Sequence, residues 1–136
     1  MKEILTRTAT TYGGRNGDIK DTTSGLTYKL SKPIQMGGIG LKGTDPEELF
    51  SVGYSSCFAS SMEHLLQTDK VKYESLYVKV DTKLVMTPKE GFKFKLIVEA
   101  RIKGVDQNTL DKYVKGAKDF CPYSKAIKGN VDIEFI

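Results

Sequence analysis

The sequence runs to 136 residues, 39% of them hydrophobic and 28% charged, with thirteen glycines and four prolines. That is ordinary globular chemistry sized for one domain over residues 1–136, too apolar for a disordered chain. No apolar run nears the roughly 20 residues of a membrane-spanning helix, so no membrane role is expected. The net charge of +4 and pI near 9.0 would suit a nucleic-acid binder. However, Lys79, Lys83, Lys93, Lys95 and Lys103 alternate with apolar residues, as on a solvated sheet face, which argues against that reading.

Residues 2–11 and 18–31 are rich in threonine and β-branched residues and read as two strands. Between them Tyr12-Gly13-Gly14-Arg15-Asn16-Gly17 reads as a loop close to a hairpin. Residues 33–43, carrying Pro33, Gly37, Gly38, Gly40 and Gly43, read as a flexible connection. A helix then begins. Thr44-Asp45-Pro46-Glu47-Glu48 offers two capping-box registers, Thr44 with Glu47 or Asp45 with Glu48. With Asp45 as cap, Pro46 falls at the first helical position, where its missing N–H costs nothing. The stretch to about Gln67 sets Leu49, Phe50, Tyr54, Phe58, Met62, Leu65 and Leu66 among serines, glycine and alanine, so the helix is expected to be central and closely packed.

Residues 71–87 and 91–103 read as two long strands with Met86-Thr87-Pro88-Lys89-Glu90-Gly91 as the turn between them. In the second, Phe92, Phe94, Leu96, Val98, Ala100 and Ile102 alternate with Lys93, Lys95, Glu99, Arg101 and Lys103. A second helix follows, with Leu110, Tyr113, Val114 and Ala117 on its inner face. It stops near Phe120-Cys121-Pro122, because the residue before a proline avoids helical geometry. Pro122 opens a further short turn through Ile127, and Val131–Ile136 closes the chain as a strand. The order β-β-α-β-β-α-β implies an α+β domain with a mostly antiparallel sheet.

Two cysteines, Cys57 and Cys121, stand 64 positions apart, too few for a disulfide framework and too distant for a Cys-x-x-Cys pair. Met1–Arg7 has no secretory apolar stretch, so a reducing cytoplasmic setting is expected, where paired thiols point to catalysis. The bland alternative is that both are small buried hydrophobes. Cys121 sits where a helix ends and a proline-led turn begins, a setting whose N–H groups favour a thiolate. One histidine, His64, and no ligand spacing mean that no metal site is expected. His64 follows Cys57 by seven residues, about 10 Å along a helix axis, beyond the roughly 3 Å reach of a general base. Gly37-Gly38-Ile39-Gly40 matches the G-x-x-G pattern of KH RNA-binding domains, but that loop must join two helices.

Three separated motifs carry a resemblance. Asp45 through Phe58 closely resembles the helix motif of organic hydroperoxide resistance proteins, of the Ohr/OsmC superfamily. Cys121-Pro122-Tyr123-Ser124-Lys125-Ala126 with Gly129-Asn130 is similar to their second cysteine motif, and Gly13–Gly17 to their arginine loop. Asp45 and Glu48 stand where Asn and Gln are commoner. The resemblance implies an OsmC-like fold in an intertwined homodimer and a thiol peroxidase reducing organic hydroperoxides to alcohols. It makes Cys57 the attacking cysteine, Cys121 the resolving one, and Arg15 with Glu47 the pair that activates Cys57. It implies no bound cofactor and recycling by a lipoylated protein. Tyr54, Phe58, Phe120, Tyr123 and Met36, near these motifs, would form an apolar entrance. The competing readings are an OsmC-type peroxidase or redox sensor with another peroxide preference, and an RNA-binding module using Gly37–Gly40. If the first helix is continuous, Glu47 and Cys57 lie about 15 Å apart along it. Either it breaks, at Gly53 for example, or residues of two chains share each site; we expect the second.

Overall fold

The structure, a computed structural model, describes residues 1–136. It contains two compact units, Met1–Leu49 and Phe50–Ile136.

In the first unit, β1 (Thr10–Tyr12), β2 (Asp18–Lys20) and β3 (Tyr28–Lys29) form an antiparallel sheet in that order. The expected hairpin around Arg15 is present, between β1 and β2. The strands are shorter than expected. Residues 2–9 carry none, and residues 18–31 fold as two strands around a turn rather than as one strand. The threonines that suggested strand serve the turn instead. Thr22 Oγ1 donates to the Leu26 carbonyl at 2.6 Å and the Thr8 N–H donates to Thr23 Oγ1 at 2.7 Å. Asp21 and Gly25 take positive φ of 48° and 77° to reverse the chain. Such local hydroxyl bonds compete with a strand ladder.

Residues 33–43 hold one 3-10 turn, Ile34–Met36, closed by Gly37 at φ 84°. No pair of helices flanks Gly37–Gly40, so the RNA-binding resemblance fails on geometry. The helix α1 (Pro46–Thr68) begins where expected. Of the two registers, Asp45 is the cap: its Oδ1 accepts from the Glu48 N–H at 2.7 Å. The Glu48 carboxylate accepts from Thr44 Oγ1 at 2.6 Å instead of completing a reciprocal box.

In the second unit, β4 (Ser75–Thr87) and β5 (Gly91–Lys103) pair antiparallel along their full length, from Ser75 opposite Lys103 to Thr87 opposite Gly91. Strand β6 (Asp132–Phe135) adds to β5 in parallel, giving the order β4-β5-β6. Helix α2 (Gln107–Phe120) is capped by Asp106, whose Oδ1 accepts from the Thr109 N–H at 2.8 Å. The short α3 (Pro122–Ile127) follows directly. The architecture is α+β, as expected, with β3 and α3 added to the expected order.

The core lies among α1, α2 and one sheet face. Tyr54, Phe58, Met62 and Leu66 recur every fourth residue and have no exposed surface. They meet Leu96, Val98, Ala100 and Ile102 of β5 and Leu110, Tyr113 and Ala117 of α2. Truncating a side chain so placed, such as Phe58, to alanine costs about 3–5 kcal/mol. Phe92 shares the apolar face of β5 yet is exposed, because it lies opposite Met86 at the turn end of the β4–β5 hairpin. On the other face Lys79, Lys93 and Lys103 pair with Asp81, Glu90 and Glu74, as solvated lysines do. No helix is long and apolar enough to cross a membrane.

Candidate active site

The loop that carries Arg15 is tightly built. The Gly17 N–H donates to the Gly14 carbonyl at 2.8 Å, and a Cβ on Gly17 would collide with the Tyr12 carbonyl oxygen. Asn16 Oδ1 accepts from the Lys32 N–H at 2.9 Å, and the Gly17 carbonyl from the Leu30 N–H at 3.0 Å. The neighbouring residue is tied in turn: the Thr44 N–H donates to the Lys29 carbonyl at 2.9 Å, bringing the cap of α1 beside β3. The result is a bidentate ion pair. Arg15 Nη1 and Nη2 donate to Glu47 Oε2 and Oε1, both at 2.7 Å.

Side-chain exposure of 29% for Arg15 and 17% for Glu47 shields this pair more than an ordinary surface bridge. Arg15 holds the Glu47 carboxyl below the usual carboxylate range, against the upward push of partial burial. Glu47 in turn raises the already high pKa of Arg15. Glu47 also lies in the first turn of α1, where the helix dipole favours a negative charge.

The two thiols meet in the second unit. Cys57 is half-buried on α1 and Cys121 is fully buried where α2 gives way to α3. Their sulfurs are 3.3 Å apart, within thiol–thiol hydrogen-bond range, and both are free. Little more than an ångström of approach separates this contact from the disulfide length of about 2.05 Å. Burial pushes the Cys57 thiol up, and the Tyr123 N–H pulls it down without cancelling that push. Burial acts on Cys121 too. There the Ser124 N–H, the Cys57 thiol, the Ser124 hydroxyl and the Tyr123 N–H outweigh it and hold Cys121 below the ordinary thiol value. Cys121 precedes Pro122 at the start of α3, so the first-turn N–H groups of that helix lie near the thiols.

Around the thiols, Phe120 and Tyr123 are partly exposed, whereas Tyr54 and Phe58 present no surface to solvent and are core residues. Met36 lies at the end of the 3-10 turn of the first unit and is half-buried. His64 stacks on Phe120, with ring centroids 4.9 Å apart, and takes no part in the thiol contact. Helix α1 runs unbroken through Gly53. A side chain there would collide with the Tyr123 phenol, so glycine is required by packing. Sequence reasoning passed over Ser124, whose hydroxyl is buried and bonded to the Tyr54 hydroxyl at 2.8 Å.

The family model described as OsmC-like protein matches residues 38–136. An organic hydroperoxide resistance protein of Xanthomonas axonopodis pv. citri is 38% identical over 134 residues, covering 97% of this chain and 93% of that protein. Organic hydroperoxide resistance protein-like 2 of Staphylococcus epidermidis is 33% identical over 132 residues, covering 96% and 93%. A crystal structure of an organic hydroperoxide resistance protein from Legionella pneumophila matches with a TM-score of 0.92 at 39% identity, over 98% of this chain and 97% of that one. Identity at this level along nearly the whole length, with the same arrangement of elements, places the chain in the OsmC-like family, among its organic hydroperoxide resistance proteins.

Proposed function

We propose that this protein reduces organic hydroperoxides to alcohols, with Cys57 as the attacking thiolate and Cys121 as the resolving thiol. The observation that carries the reading is the 3.3 Å approach of two free thiols, in a chain whose relatives are named for organic hydroperoxide resistance. Those names favour this reading over a sister peroxidase or a sensor with another preference. In the first step the Cys57 thiolate attacks the terminal peroxide oxygen. The O–O bond breaks, the alkoxide takes a proton and leaves as alcohol, and Cys57 becomes a sulfenic acid. The Cys121 thiolate then attacks the Cys57 sulfur. The S–O bond breaks, hydroxide leaves as water on taking a proton, and a disulfide forms. A dithiol on a lipoylated protein returns the disulfide to two thiols, in a cytoplasmic setting.

The first step needs a thiolate at Cys57, and burial opposes it. A guanidinium beside the sulfur reverses that balance, and Arg15, oriented by Glu47, is the residue we assign to the task. We further propose that the enzyme is a homodimer in which Arg15 and Glu47 of one protomer serve Cys57 of its partner. Exposed apolar side chains support a partner surface: Val52 on α1, and Met86 and Phe92 at the hairpin end. The exposed faces of Phe120 and Tyr123 would admit an apolar alkyl group. Stopped-flow oxidation of the reduced protein tests the reading. Cumene hydroperoxide should react faster than hydrogen peroxide by about ten- to a hundredfold, the scale of apolar pocket discrimination. Equal rates would refute an organic-hydroperoxide enzyme.

A further inference from the structure

We propose that a groove between α2 and the open side of β5 binds a carboxylate carrying an aliphatic chain, with its head group on Lys115 and Lys118. The groove lies within the second unit, and none of its residues is assigned to the thiol chemistry, so it does not depend on the peroxidase reading. Strand β6 pairs with β5 only as far as Val98 opposite Phe135. Beyond that pair, Ala100 and Arg101 of β5 face Leu110, Val114 and the two lysines of α2 across a groove of about 480 Å³. Ala100 is the smallest member of the β5 row Leu96, Val98, Ala100 and Ile102, and its single methyl group leaves the space open. The volume lies within the range of small-molecule sites.

The lining divides into apolar surface and cations. Ala100 and Leu110 are buried, and with Val114 and Phe135 they supply the apolar part. Arg101, Lys115 and Lys118 are exposed and supply the charge. Arg101 is already committed: its Nη1 donates to the Ala100 and Ile136 carbonyls at 2.9 and 2.8 Å, and its Nη2 lies 3.6 Å from Glu99 Oε1. Asp111, the one carboxylate of the lining, accepts from Gln107 Nε2 at 2.8 Å. Lys115 and Lys118 have no carboxylate partner. Lys118 Nζ lies 3.9 Å from the centroid of the Phe135 ring, which holds its ammonium over the apolar lining. Three cations against Asp111 and Glu99 leave one positive charge, a match for a single carboxylate rather than a phosphate dianion. The carboxylate would take charge-assisted hydrogen bonds from the two ammonium groups, and its chain would remove the apolar lining from water.

Methyl-resolved NMR of the reduced protein titrated with octanoate tests the site without any peroxide. The Ala100, Leu110 and Val114 methyl signals should shift together and saturate in the low millimolar range, the scale for a ligand of that size. Octanol, which lacks the charge, and acetate, which lacks the chain, should each bind at least about tenfold more weakly. Replacing both lysines, Lys115→Gln with Lys118→Gln, should weaken octanoate about tenfold, and both positions are exposed, so the fold is kept. Val114→Trp should fill the groove and abolish the shifts; if it fails to fold, the lysine variant decides. Groove methyls that stay unmoved up to the solubility limit of octanoate overturn the proposal. Octanol binding as tightly as octanoate, or unchanged affinity in the double lysine variant, overturns it equally. Tighter capture of a tri-glutamate peptide than of octanoate also overturns it, in favour of a docking site for an acidic segment.

Discussion

Replacing Arg15 by alanine is expected to slow the first oxidation of Cys57 at least about thirtyfold at pH 7, without unfolding the protein. The magnitude follows from the thiol's surroundings. A thiol at its ordinary pKa near 8.5 is about 3% ionised at pH 7, and burial puts Cys57 above that ordinary value. Full ionisation therefore raises the reactive fraction more than about thirtyfold, or roughly 2 kcal/mol. One charge-assisted hydrogen bond supplies about 1.5–3 kcal/mol, so a single guanidinium is sufficient. Arg15→Lys should fall between the two, since an ammonium keeps the charge but cannot make both 2.7 Å contacts with Glu47. The assay is stopped-flow oxidation by cumene hydroperoxide across pH 5 to 10. Thiolate is scarce below a raised pKa, so the Arg15→Ala rate should climb about tenfold per pH unit through neutrality, while the wild type stays on its plateau. Glu47, held below the ordinary carboxylate value, remains ionised above about pH 5 and contributes no slope of its own. Superimposable profiles for the wild type and Arg15→Ala would refute the activation argument.

Cys121→Ser should react once with hydroperoxide at a near-normal first-phase rate and then proceed to sulfinic acid, visible by mass spectrometry, because no thiol remains to trap the sulfenic acid. Co-refolding Cys57→Ser with Glu47→Ala should recover activity in the heterodimer, whose one site with both wild-type residues is shared between chains. Confirmed heterodimers without activity would put Glu47 in the same chain as the cysteine it serves. Gly53→Ala should lower stability by about 1–3 kcal/mol in denaturant titration, because its methyl group displaces the Tyr123 phenol. Tyr123→Phe in the same background should return part of that loss.

Local signals recovered most of the chain. Asp45-Pro46 marked the start of α1 because cap and first-turn chemistry depend on adjacent residues, and Asp45 Oδ1 indeed accepts from Glu48. The alternation from Phe94 to Ile102 marked β5 because side-chain direction has a period of two. Composition misled where two structures use the same residues. Threonines in 21–27 suited a strand, but their hydroxyls close a turn between β2 and β3. The parallel seat of β6 beside β5 depends on packing between distant segments, which no local pattern encodes. At the site, the family resemblance named Arg15 and Glu47 as a pair 32 positions apart, and the fold adds the bidentate geometry that no local pattern encodes. The buried Tyr54–Ser124 bond spans 70 positions and had no signal in the sequence.

Two thiols 3.3 Å apart are expected to act as one redox unit toward organic hydroperoxides. Mass spectrometry of the reduced protein after one equivalent of cumene hydroperoxide tests it most directly. The chain should lose its two thiol hydrogens, and the peptides carrying Cys57 and Cys121 should be recovered joined, within a single chain. Two free thiols after treatment, or a bond formed only between chains, would contradict it.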